Sequence, residues 1–140
     1  MSGRAFVDTN VLVYAHDSGA GDRHRIARDL IERLWAERGG VLSTQVIQEF
    51  YVNVRRRAQR PISPPEARRL VDDYLTWEIV VNDAASIREA IAIEERYRLT
   101  FWDALVVHAA NQSGAEILYS EDLGHGQVYG AVELVNPFVG

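Results

Sequence analysis

The chain has 140 residues, 47% hydrophobic and 25% charged, which is enough for one globular core without covalent staples. Cysteine is absent, which removes disulfides, thiolate zinc centres and cysteine nucleophiles, and all fifteen basic residues are arginine, which removes Schiff-base and lysine-loop phosphate chemistry. The formal net charge of −5 does not exclude a nucleic-acid ligand, because two divalent cations held by four carboxylates would bring it to −1.

In chain order, Ala5-Phe6-Val7 reads as a first strand ending at Asp8, with a short helix after it. A helix over about Asp22–Glu37 carries Ile26, Leu30, Ile31 and Leu34 at three- and four-residue spacing, and Gly39-Gly40 is expected to stop it. Val41-Leu42-Ser43 forms a second strand. The following helix turns Val46, Ile47, Phe50 and Val54 inward and ends in the basic run Arg55-Arg56-Arg57. Ser63, with Glu66 three residues on, caps another helix reaching about Leu75. Glu78 to Val81 is a third strand, and Asp83 caps a helix ending near Tyr97. Thr100 and Asp103 form a capping-box pattern that opens an apolar helix from Ala104 to about Gln112, stopped by Ser113-Gly114. Glu116 to Tyr119 and Ala131 to Val135 complete about five strands of a mainly parallel sheet, the pattern of an α/β fold. There is no linker or repeat, so residues 1–140 are expected to form a single domain. No run has the length of a signal peptide core or a membrane span, and we expect a soluble, cytoplasmic protein with no membrane contact.

Ligands of parallel sheets gather beyond the carboxyl ends of the strands. Asp8 follows the first strand; Ser120 and Asp122 follow the Glu116–Tyr119 strand; Asp103 opens a buried helix. Glu49 lies on a polar stripe, Gln45-Glu49-Asn53, of the helix after the second strand. One sheet edge can thus gather four carboxylates. Such a cluster takes up protons unless a cation compensates, and its hard oxygen donors suit magnesium, with manganese as a substitute. Each acid also has a local structural reading. Asp8, Thr9 or Asn10 can cap the next helix, and Asp103 can complete a capping box. Glu49 can face solvent, and Asp122 can form a turn, with Glu121 as the replacement ligand.

Four segments carry a resemblance: Phe6-Val7-Asp8-Thr9-Asn10-Val11-Leu12, Ser43-Thr44-Gln45-Val46-Ile47-Gln48-Glu49-Phe50, Trp102-Asp103-Ala104-Leu105 and Ile117-Leu118-Tyr119-Ser120-Glu121-Asp122-Leu123. In this order they resemble the PIN domain, and within it the VapC-type ribonuclease toxins of bacterial toxin–antitoxin pairs. The resemblance implies a three-layer α/β/α fold and a quartet of Asp8, Glu49, Asp103 and Asp122 holding magnesium. Thr9, Asn10 and Ser120 would orient that quartet through hydrogen bonds. It further implies endonucleolytic hydrolysis of RNA by a metal-activated water, a small antitoxin partner that places an arginine in the acidic pocket, and a homodimer.

Among the other features, Arg55-Arg56-Arg57-Ala58-Gln59-Arg60 with Arg68 and Arg69 can guide an RNA backbone or simply complement a helix end. His108 lies about 140° around its helix from Asp103, so a histidine-based ribonuclease is not supported. Trp35, Trp77 and Trp102 are expected as core or interface anchors, and Tyr14 as a contact for nucleotide or antitoxin. A phospho-accepting receiver lacks its lysine here, and an aspartate-nucleophile phosphatase would have an acid where Asn10 stands. A non-catalytic module that binds RNA or protein is the remaining alternative.

Overall fold

The structure is a computed structural model that describes residues 3–139; Met1, Ser2 and Gly140, the ends of the expected 1–140 domain, lie outside it. The chain runs β1 (Ala5–Val7), α1 (Thr9–Ala15), α2 (Asp22–Glu37), β2 (Gly40–Ser43), α3 (Thr44–Arg56), α4 (Pro64–Tyr74) and β3 (Glu78–Val80). It continues through α5 (Ala84–Tyr97), α6 (Phe101–Ser113), β4 (Ile117–Tyr119), β5 (Val128–Tyr129) and β6 (Val132–Val135).

The strands form one sheet in the order β3-β2-β1-β4-β6-β5, parallel except for β5, which runs antiparallel to β6. Among the described residues the sheet therefore has six strands where the sequence pattern shows about five. The additional one is a two-residue hairpin partner, too short to leave a period-two signal. Right-handed crossovers explain the layers. The connections from β1 to β2 and β2 to β3 move one way and place α1–α4 together on one face; the return from β3 to β4 puts α5 and α6 on the other. The result is a three-layer α/β/α fold. Phe6, Val7, Leu42 and Leu118 are fully enclosed at the centre of the sheet. The apolar helix α6, pressed between sheet and α5, buries Ala104, Leu105, Val106, Val107, Ala109 and Ala110.

Local chemistry sets the boundaries. Ser63, Asp83 and Thr100 cap α4, α5 and α6 by accepting the backbone N–H of Glu66, Ser86 and Asp103 respectively. The expected stop of α2 at Gly39-Gly40 is corrected: Arg38 takes the left-handed conformation (φ 55°), and Gly39 N–H closes the end by donating to Leu34 O at 3.2 Å. Gly40 serves packing instead, because a Cβ there would lie 2.2 Å from the Trp77 ring. One structural anchor has no local sequence signature. The carboxylate of Asp17, 2% exposed, accepts the backbone N–H groups of Gly19, Gln59 and Arg60, at 3.1, 2.7 and 2.9 Å. It ties the turn after α1 to the segment after α3.

Candidate active site

In the strand order the chain departs from β1 to β2 on one side and returns to β4 on the other, so the β1/β4 boundary is the switch point where a crevice opens. Residues immediately after β1, β2 and β4 converge there. A cleft of about 380 Å3 is lined by Asp8, Thr9, Asn10, Gln45, Glu49, Asn53, Arg57, Trp102, Asp103, Val106 and Asp122. All four expected acids face this one cleft, and the polar stripe Gln45-Glu49-Asn53 forms one of its walls.

Asp8 is the most enclosed of the four, at 5% exposure. It is also the N-cap of α1: its Oδ1 accepts Thr9 N–H at 2.7 Å, and its Oδ2 accepts the Ser120 hydroxyl at 2.8 Å. The same side chain thus caps α1 and lines the cleft. Burial pushes its carboxyl from 3.8 up to about 7, with smaller upward contributions from the Asp122 and Asp103 charges; the Ser120 and Thr9 hydrogen bonds oppose the rise. Asp103, half-buried, is also raised, first by burial and then by the charges of Asp122 and Glu49, against a lowering hydrogen bond from Thr100. Its backbone N–H donates to Thr100 Oγ1 at 3.1 Å, so this acid too lines the cleft from a helix cap.

Neutral donors set the remaining orientations. Thr9 Oγ1 donates to Glu49 Oε1 at 2.8 Å, and Gln45 Nε2 donates to Glu49 Oε2 at 3.4 Å. Asn10 Nδ2 donates to Asp122 Oδ2 at 2.9 Å, and Ser120 Oγ accepts Asp122 N–H at 3.1 Å. Thr9, Asn10 and Ser120 thus each hydrogen-bond to one of the four acids. Glu121, the reserve ligand, turns elsewhere: it accepts from the Tyr14 hydroxyl at 2.6 Å and from Arg23 Nε at 3.0 Å. The Arg23 guanidinium also lies over the Tyr14 and Phe138 rings. Tyr14 is thereby committed to an internal contact.

The basic run divides. Arg57 lines the cleft, Arg55 lies over the Tyr51 ring, and Arg69 pairs with Glu66 and Asp73. Trp35 and Trp77 pack with Tyr74, as expected of anchors. Trp102 does not; it is 62% exposed at the cleft. Helical periodicity missed it because α6 is apolar on nearly every side, which leaves no polar face to mark its exposed end.

In these rotamers no three carboxyl or imidazole groups among the described residues converge as a ready metal cage. The donor chemistry nevertheless fits a hard divalent cation. The cleft's acidic groups offer oxygen donors; among the described residues its most buried acid has no cationic partner, and Gln45 Oε1 is buried without a hydrogen-bond partner beside Glu49. Asp8, Glu49, Asp103 and Asp122 are the residues that could hold such an ion.

The chain is a mainly parallel α/β domain with an acid-lined crevice at its switch point. The PIN domain model matches residues 5–131, and the chain belongs to the PIN domain family. No curated protein matches it by sequence. Solved structures that share its fold include a toxin–antitoxin complex from Klebsiella pneumoniae, with 20% identity, TM-score 0.70, and coverage of 96% of this chain and 98% of that one. VapC20 of Mycobacterium tuberculosis, described as a sarcin–ricin loop cleaving toxin, has 20% identity, TM-score 0.63, and coverage of 84% and 89%. VapBC2 of Rickettsia felis, bound to a DNA fragment from its promoter, has 16% identity, TM-score 0.63, and coverage of 93% and 96%.

Proposed function

We propose that this chain is a single-domain, magnesium-dependent endoribonuclease and the toxin of a toxin–antitoxin pair. The observation that carries the reading is the meeting of Asp8, Glu49, Asp103 and Asp122, from four separate segments, in one cleft at the sheet's switch point. Burial of Asp8 without a cationic partner among the described residues strengthens it, because a carboxyl raised to about 7 is one whose charge awaits compensation.

The four acids hold magnesium, for which manganese can substitute. When bound, the ion supplies charge neutralisation, a more acidic water and stabilisation of the leaving oxygen. The chain's own groups do the positioning. Ser120 and Thr9 N–H fix the Asp8 carboxylate, Thr9 Oγ1 and Gln45 fix Glu49, and Asn10 fixes Asp122. In the reaction the oxygen of water bonds to phosphorus and the bond to the 3′-oxygen breaks. The products carry a 5′-phosphate and a 3′-hydroxyl. No histidine is required as base, in keeping with a cleft that contains none.

Toxin–antitoxin complexes among the structural neighbours support an antitoxin partner. We propose that this partner is small and that its tail covers the groove and sets an arginine among the acids. We further propose a homodimer acting in the cytoplasm; no described helix is long and apolar enough to cross a membrane. The test is incubation of structured RNAs with the purified protein in magnesium and in EDTA. Cleavage in magnesium alone, yielding 5′-phosphate ends, is expected. No cleavage of any RNA, together with tight binding of RNA or a protein partner, would establish a non-catalytic module instead.

A further inference from the structure

Trp102 is a large apolar side chain left bare where the cleft opens. It is 62% exposed, it adjoins Asp103, and it lies one helical turn before Val106, which lines the same cleft. Its position is nonetheless fixed. Gln45 Nε2 donates to its backbone carbonyl at 3.3 Å, and its ring meets Phe101 edge-on with centroids 5.1 Å apart. Phe101 in turn packs on the buried cluster of Ala90, Ala104 and Leu105. Phe101 thus braces the indole on one side, while most of the residue's surface remains open beside the acids. Arg57 supplies the complementary charge. It lines the same cleft from the end of α3 and is exposed, and it makes no ion pair among the described residues. A flat apolar face and a permanently charged planar cation in one cleft match the two ends of a nucleotide unit.

We propose that Trp102 and Arg57 form a nucleotide subsite, in which the indole stacks on an unpaired RNA base next to the cut bond and the guanidinium takes a backbone phosphate. The proposal rests on the nuclease reading and narrows it. Every base offers a π face, so this subsite selects for unpaired rather than for a particular sequence; a duplex keeps its bases stacked on one another and cannot supply one. Gln45 links the subsite to the acids, since the same amide holds Trp102 and Glu49.

The experiment titrates a single-stranded oligoadenylate hexamer into Asp8→Asn protein with magnesium, following tryptophan fluorescence and, separately, affinity. Stacking on Trp102 predicts quenching that disappears in Trp102→Phe, whose affinity stays within a few-fold because a ring remains. It predicts that Trp102→Ala weakens binding about tenfold or more, and that a duplex of the same length quenches little. Arg57→Gln should weaken binding and flatten its salt dependence without removing the quench. Quenching that persists in Trp102→Phe, or equal affinity in Trp102→Ala, overturns the subsite. A Trp102→Ala protein that changes oligomeric mass while binding RNA normally also overturns it, making the indole a subunit contact. Binding is read without cleavage, so the two readings fail separately. RNA cutting by an otherwise wild-type Trp102→Ala protein at full rate and affinity would retain the nuclease and remove the subsite. Loss of binding in Trp102→Ala, with a wild-type protein that cuts nothing, would retain the subsite and remove the nuclease.

Discussion

Replacing Asp8 with asparagine should stabilise the metal-free protein at alkaline pH while disabling it. Asp8 is 5% exposed, and its carboxyl rises from 3.8 to about 7, chiefly through burial. At 1.36 kcal/mol per pH unit, ionising it in the folded state costs about 4 kcal/mol. The sign follows from the folded state's tighter hold on the proton: stability is full below the unfolded value of 3.8 and is lost as pH rises towards about 7. Asparagine is nearly isosteric. Its carbonyl can still accept Thr9 N–H, and its amide can donate to the Ser120 hydroxyl, which must rotate. Urea unfolding in EDTA at pH 5 and pH 8.5 is the assay. Asp8→Asn should gain stability over wild type at pH 8.5, by up to about 4 kcal/mol, and much less at pH 5. Magnesium should then stabilise wild type at pH 8.5 more than the variant, by mass action on the folded state. Equal stabilities at both pH values, or a variant destabilised more at pH 8.5 than at pH 5, would refute the electrostatic argument.

Four further outcomes rest on named contacts. Asp17→Ala strips the acceptor from three backbone N–H groups and should destabilise the chain by about 3 kcal/mol in urea unfolding at neutral pH. Glu121→Gln should leave RNA cleavage within a few-fold of wild type, because Glu121 faces Tyr14 and Arg23; Glu49→Gln should reduce it by about a hundredfold or more. Gly40→Ala drives a Cβ into the Trp77 ring at 2.2 Å and should cost about 1–3 kcal/mol, lowering the thermal midpoint.

The elements legible in the sequence were those with a complete local signal. α2 over Asp22–Glu37 combines a sustained apolar stripe with a sharp end, and the caps at Ser63, Asp83 and Thr100 lie beside the N–H groups they satisfy. The position of the four acids was legible because parallel strands send their carboxyl ends to one edge. What escaped depends on distant partners. Asp17 looks like any turn former until the Gln59-Arg60 segment closes on it. Two-residue β5 exists only because β6 pairs with it. Arg38 takes the left-handed cap that glycine adopts most readily, leaving Gly40 to accommodate Trp77. The separation of Asp122 from its neighbour Glu121 is likewise a tertiary outcome, decided by Asn10 on one side and Tyr14 with Arg23 on the other.

If the acid cleft cuts RNA, Asp103→Asn should disable it. The substitution keeps the backbone N–H that Thr100 caps, so α6 retains its start while the cleft loses one charge. Single-turnover cleavage of one RNA in saturating magnesium should fall by about a hundredfold or more relative to wild type. A rate within a few-fold of wild type would contradict the assignment of the cleft as the cutting site.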